Sequence, residues 1–172
     1  VNDFENDYNV INTIDDKLVV HTNKGAPNYR VVLIDPASAE LSNWQTLVEE
    51  TKNVLQSAST AGGKMFLTYL KDASSYVSIH SLKGEKMGDV NLPTLGTASG
   101  FRAKNDRTEL FYSFTSYTYP STIYRYDIAS NTSTEFRKSG VKFNPDEYET
   151  NEIFFESKDG ERVHMFVTHK KG

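Results

Sequence analysis

Four histidines, His21, His80, His164 and His169, are the side chains best suited to metal ligation or proton transfer in this sequence. A zinc or acid–base site built on imidazole needs two of them aimed at one point. His164 and His169 lie five apart, which places them on opposite faces of a strand, and no other pair is close in sequence. The histidines therefore read as strand-surface or polar core positions. Adjacent carboxylates occur at Asp15-Asp16, Glu49-Glu50 and Asp146-Glu147, all in segments that read as turns, where solvated charge is the ordinary state. The aromatic stretch from Phe111 to Tyr126 has the composition of a base-stacking platform, but Arg125 is its only basic residue. A platform for nucleic acid needs cations beside its rings, so these aromatics read as packing between sheets. Asn131-Thr132-Ser133 fits the N-glycosylation triplet, a pattern that chance supplies often.

The remaining chemical motifs are missing from the chain. It contains no Gly-x-Ser-x-Gly elbow, no phosphate-binding Gly-rich loop, no His-Glu-x-x-His and no EF-hand loop. With no cysteine, a disulfide framework, a thiolate metal site and a cysteine nucleophile are excluded. The sequence assigns no catalytic, cofactor-binding or metal-ligating residue.

Composition narrows the class of molecule. The 172 residues are 37% hydrophobic, 24% charged and 12% aromatic, enough apolar matter for a packed core. A formal charge of −4 gives no cationic excess for a phosphate backbone, so nucleic acid is not an expected partner. No apolar run is long enough to cross a bilayer, and the first residues are acidic where a signal peptide is basic. The reading is of a soluble chain, cytoplasmic or periplasmic. Val1 in place of methionine, and a stop at Lys170-Lys171-Gly172 directly after an apolar run, predict a segment of a longer protein.

The elements that must position these residues are strands. Tyr29, Val31 and Leu33 alternate with Arg30, Val32 and Ile34, and Leu110, Tyr112 and Phe114 alternate with Phe111, Ser113 and Thr115. Turn residues recur at Asp15-Asp16, Lys24 to Asn28, Gly62-Gly63, Lys83-Gly84, Asn105-Asp106, Ser130-Asn131 and Asp159-Gly160. Trp44 to Ala58 admits two readings: a helix with Trp44, Leu47, Val48, Leu55 and Ala58 on one face, or a strand, a turn at Glu50-Thr51-Lys52 and a second strand. The regular strand spacing elsewhere favours the second.

That spacing is an internal repeat. The strands beginning at Leu18, Met65 and Leu110 are 47 and 45 residues apart, and each is followed about eleven residues later by another, at Tyr29, Tyr76 and Thr122. A period in the forties with four short strands per unit is the pattern of a β-propeller blade. The expected fold is all-β: consecutive four-stranded antiparallel blades at about 8–49, 53–92 and 95–138, making residues 1–140 an open partial propeller. Residues 141–172 read as a connector and a β-hairpin around Lys158-Asp159-Gly160. Three blades do not close a ring, so the outer faces of the first and third should expose apolar surface and favour self-association.

The same segments resemble the prolyl oligopeptidase family. Thr22-Asn23-Lys24-Gly25-Ala26-Pro27-Asn28-Tyr29-Arg30-Val31 is similar to a propeller motif of that family. Leu110 to Ser116 with Pro120 to Asp127 is similar to its last blade. Ile153 to Gly160 with Val163 to Gly172 resembles the bridge from the propeller into an α/β-hydrolase domain. The resemblance implies a seven-bladed propeller over a serine peptidase that cleaves short peptides after proline, with these blades as the fifth to seventh. It implies a peptide substrate, and a catalytic domain and further blades as partners in cis. The family's catalytic triad has no counterpart within this chain, so no site residue is carried over. Two other functions fit the residues: a self-standing propeller-type module that binds a protein or peptide, and a closed β-sandwich or barrel holding a small molecule, which would make the repeat accidental.

Overall fold

The computed structural model describes residues 4–172. Three four-stranded sheets follow one another along the chain. β1 (Tyr8–Ile14), β2 (Lys17–Thr22), β3 (Arg30–Ile34) and β4 (Gln45–Val48) form the first. β5 (Val54–Ala61), β6 (Lys64–Lys71), β7 (Ser74–Ser81) and β8 (Lys86–Asp89) form the second; β9 (Thr97–Ser99), β10 (Glu109–Thr115), β11 (Thr122–Asp127) and β12 (Thr132–Arg137) form the third. Within each sheet every strand pairs antiparallel with the next in sequence. A separate two-stranded hairpin joins β13 (Tyr148–Glu156) to β14 (Arg162–Lys170). The chain is all-β and its sheets remain open; they do not close into a barrel or sandwich. Among the described residues no helix is long and apolar enough to cross a membrane.

The repeat is visible in the turns. Ile14 pairs with Lys17, Ala61 with Lys64 and Lys71 with Ser74, leaving two-residue loops at Asp15-Asp16, Gly62-Gly63 and Asp72-Ala73. All six loop residues have positive φ, as the tightest hairpin turns require because their twist matches that of the strands. Each sheet also carries an irregularity between its third and fourth strands, at Val31/Val32, Ile79/His80 and Ile123/Tyr124. Trp44 to Ala58 contains no α-helix. Trp44 ends a short 3-10 turn, and the segment divides into β4 and β5, which belong to different sheets.

Alternation within the strands makes two seams. Val19, Val31 and Val48 of the first sheet meet Leu55, Met65, Leu67 and Tyr69 of the second. The opposite face of the second sheet, with Phe66, Val77 and Ile79, meets Leu110, Tyr112, Phe114 and Tyr126 of the third. The central sheet is thus buried on both faces, and each large side chain taken fully from water is worth roughly 1.5–3 kcal/mol. Aromatics fill the second seam: Phe101 stacks on Tyr112 at 4.6 Å and Phe66 meets Tyr126 edge-on at 5.7 Å.

The outer faces of the array differ from expectation on one side only. In the third sheet Phe111, Ile123 and Phe136 are exposed, Phe111 and Phe136 touching at 4.8 Å. In the first sheet Val20 and Val32 are 2% and 0% exposed. They lie beneath Tyr8, Leu18 and Trp44, and the Trp44 indole donates to the Ala39 carbonyl. The long connection from β3 to β4 folds back over its own sheet, a local cover that strand periodicity does not register.

Candidate functional site

The histidines stand apart from one another. His21 is buried at the first seam, where its Nε2 bonds the Leu55 carbonyl at 2.9 Å and its ring stacks on Tyr29 at 4.7 Å. Burial holds its pKa below the ordinary value, with the Leu55 carbonyl and Asp7 opposing that shift. His80 lies between the Ser78 hydroxyl and the Gly84 carbonyl. His164 and His169 each face a hairpin carboxylate, Glu152 at 3.0 Å and Glu149 at 3.2 Å. Among the described residues no three His, Asp or Glu side chains are grouped to hold a metal ion.

The paired carboxylates serve local structure. Asp15 and Asp16 are the positive-φ pair of the first hairpin. Glu50 accepts the Asn28 N–H. Glu147 pairs with Lys170 at 3.2 Å, tying the 3-10 turn at Pro145–Glu147 to the end of β14.

The stretch from Thr22 to Arg30 is a corner joining the first two sheets. The Thr22 hydroxyl accepts the Lys24 N–H, the Asn23 carbonyl accepts the Ala26 N–H and the Ala26 carbonyl accepts the Tyr29 N–H. Tyr29 is held at φ 67°, a costly conformation for an aromatic residue, with its hydroxyl donated to Asp7. Asn28 reaches across the seam: its carbonyl accepts the Leu55 N–H at 2.9 Å and its amide donates to the Thr51 carbonyl. Arg30 closes the corner on the Lys24 carbonyl at 3.1 Å. These residue types at this spacing build an interlock between sheets.

Asn131 is the corresponding lock at the second seam. At φ 54°, its Oδ1 accepts the Tyr126 hydroxyl at 2.6 Å and its Nδ2 donates to the Asp89 carbonyl of the second sheet at 3.1 Å. Burial pushes the Tyr126 hydroxyl up to about 12, so it remains a donor. The amide that would carry a glycan is thus engaged in holding two sheets together. Tyr112, also in the Phe111 to Tyr126 stretch, donates to the Ser133 hydroxyl, and Tyr112, Phe114 and Tyr126 are all buried. One face of the stretch is core, while Phe111, Tyr117 and Ile123 are exposed.

Sequence reasoning missed two features, one polar and one a hollow. Tyr76, Lys86 and Asp89 form a compact triangle on the rim of the second sheet: the Tyr76 hydroxyl donates to Asp89 at 2.6 Å, and Lys86 reaches both, at 2.7 and 2.9 Å. A hollow of about 270 Å³ opens where the turn at Ala73-Ser74, the segment Leu95–Thr97 and the loop Thr115–Tyr117 meet Phe166 of the hairpin. No single segment carries either arrangement. Their members are brought together by strand pairing and by the approach of Tyr117 to Phe166 at 5.4 Å.

Three successive four-stranded antiparallel sheets, packed face to face, have the arrangement of β-propeller blades. A family model described as "Prolyl oligopeptidase, N-terminal beta-propeller domain" matches residues 1–139. The chain belongs to the prolyl oligopeptidase family. Among curated members, a prolyl endopeptidase of Elizabethkingia miricola is 36% identical over 98% of this chain and 24% of its own length. The prolyl oligopeptidase ophP of Omphalotus olearius is 36% identical over 90% of this chain and 21% of its own. A solved structure from a study of two prolyl endopeptidases and the role of inter-domain dynamics superposes with a TM-score of 0.87 at 38% identity, over 99% of this chain and 25% of that one. Prolyl oligopeptidase B from Galerina marginata, solved as the apo protein, gives 0.89 at 26% identity, over 99% of this chain and 25% of its own. The chain spans about a quarter of the length of the curated prolyl oligopeptidases it matches. The fold is that of the family's propeller domain.

Proposed function

We propose that this chain is the propeller part of a serine peptidase that cleaves short peptides after proline, and that its role is to limit access to a catalytic domain. The observation that carries the reading is the family match across residues 1–139, combined with sheets in which Asn28 and Asn131 are spent on inter-sheet locks. In such an enzyme a serine attacks the carbonyl after proline, a histidine acts as base and then acid, and backbone N–H groups hold the oxyanion. None of those groups is assigned to the 172 residues here. Packed sheets contribute exclusion: a folded protein cannot pass a wall of close-packed side chains, while a short flexible peptide can enter through a gap.

The finer assignment follows the resemblance. The three sheets are the fifth to seventh blades, residues 1–140 the propeller portion, and residues 141–172 a connector and hairpin leading toward an α/β-hydrolase domain. The hairpin supports this reading because one of its faces is apolar and open: Ile153, Phe155, Val163, Met165 and Val167, which the register places on the same face, are all exposed although they sit in regular strands. A contiguous apolar face left open in this way is the kind that a neighbouring layer of structure covers.

The test is hydrolysis of a chromogenic prolyl-peptide substrate by the 172-residue chain. No turnover is expected. Turnover abolished by a serine-directed inhibitor would overturn the reading.

A further inference from the structure

The loop that follows β9 leaves the third sheet and lies along β5 of the second. The Ser59 hydroxyl donates to the Phe101 carbonyl, the Ala103 N–H to the Thr60 carbonyl at 3.1 Å, and the Gly62 N–H to the Lys104 carbonyl at 3.2 Å. Since β5 also lies beside β1, three sheets converge there and leave two adjoining hollows. One, of about 480 Å³, is lined by Ile11, Asn12, Thr60, Arg102 and Lys104. The other, of about 310 Å³, runs by Tyr8, Val10, Ala58 and Ser59 and shares Ile11 and Arg102 with the first.

The chemistry of this place is one-sided. No carboxylate lines either hollow. Asp106 pairs with Arg107 rather than with Arg102 or Lys104, and neither of those two cations has a side-chain partner among the described residues. Asn12 adds a third donor. Its Oδ1 accepts the Thr13 N–H at 2.9 Å, which fixes the amide orientation and leaves Nδ2 without an acceptor. Such an N–H end, held away from water, adds positive potential where it sits.

We propose that the two hollows form a subsite for the carboxylate of a short peptide. The Arg102 guanidinium takes the carboxylate through paired N–H donors, a geometry its planar fork matches, and Lys104 adds charge. The neighbouring hollow receives the one or two residues behind that group. Its floor includes β1, which is the edge strand of its sheet, so the outward N–H and C=O groups of Tyr8 to Ile11 are free to pair with an extended chain. A free inorganic anion would use the charge and leave this second hollow unused. The proposal stands apart from the peptidase reading because it concerns binding by this chain alone.

The experiment is an NMR titration of the isotope-labelled 172-residue chain with four probes: acetyl-trialanine as the free acid, the same peptide as its C-terminal amide, an acetyl-Ala-Glu-Ala amide and inorganic phosphate. Saturable shifts are expected at the amides of Val10 to Thr13 and of Ala103 and Lys104 with the free acid or the glutamyl peptide, and the tighter of the two identifies the source of the carboxylate. Both cations are exposed, so Arg102→Gln and Lys104→Gln should keep the dispersion of the spectrum, the first weakening binding about tenfold and the second less. Equal binding of the neutral amide, equal binding of phosphate at the same resonances, or no saturation below about 10 mM would each overturn the proposal.

Discussion

His21 shows how one polar group can be used as a seam fastener. In its neutral form it donates Nε2–H to the Leu55 carbonyl while stacked on Tyr29, and burial lowers its pKa in the folded chain, against the Leu55 carbonyl and Asp7. The unfolded chain then binds a proton more readily than the folded one. Stability contributed by His21 is present above its unfolded value and lost as pH falls through 6.5 and below. Urea midpoints measured at pH 7.5 and 5.5 should therefore fall toward acid, and the fall should shrink in His21→Gln. Asn131 gives a second test. Asn131→Ala removes the acceptor of Tyr126 and the donor to Asp89 and puts a Cβ-bearing residue with no local hydrogen bond at φ 54°. A loss of about 2–3 kcal/mol in equilibrium unfolding is expected. A loss within about 0.5 kcal/mol, the range of an unremarkable surface site, would show that the second seam does not depend on this bridge.

The elements are simple strands; what distinguishes them is how their turns dock on neighbours. Gly84, in the turn between β7 and β8, is the clearest case. At φ 93°, a Cβ there would stand 1.9 Å from the Leu47 carbonyl oxygen of β4. The turn of one sheet is pressed against the backbone of the previous one, and only glycine permits both the contact and the dihedral. Gly84→Ala should cost about 3 kcal/mol or more, seen as a lowered melting temperature or as loss of soluble folded protein. Gly63, also at positive φ but with open space around the added atom, supplies the control: Gly63→Ala should cost about 1 kcal/mol, from backbone strain alone. Strand and turn positions were legible at this level because their signals are local. Alternation at Tyr29 to Ile34 and Leu110 to Thr115, and paired turn residues at Asp15-Asp16 and Gly62-Gly63, mark elements that the structure contains. Asp72-Ala73 was not legible as a turn, since alanine at φ 55° is set by the strands on either side of it.

For the molecule as a whole, the faces left without a neighbour matter most. Phe111, Ile123 and Phe136 on the third sheet, with the apolar face of the hairpin, form exposed surface of the kind that drives association. The first sheet does not add to it, because Trp44 and Tyr8 cover its outer valines. Concentration-dependent self-association through the third sheet and hairpin is the expected behaviour in light scattering. Phe111→Ser combined with Phe136→Ser should lower the apparent mass at a given concentration without unfolding the chain. A monodisperse monomer at high concentration would argue that these faces fold onto each other instead.

The period of 47 and 45 residues, the alternation of apolar side chains and the chemistry of tight turns are properties of neighbours along the chain, so the all-β class, the four-strand units and the family resemblance could be read in one dimension. Contacts between units could not. That Asn28 and Asn131 are locks between sheets, that the connection after β3 shields the first sheet while Phe111 and Phe136 lie open, and that Arg102, Lys104 and Asn12 share one place all depend on how three sheets pack. Packing joins residues far apart in the chain, and no local signal encodes which distant side chain will complete a hydrogen bond, cover a valine or leave a cation unpaired.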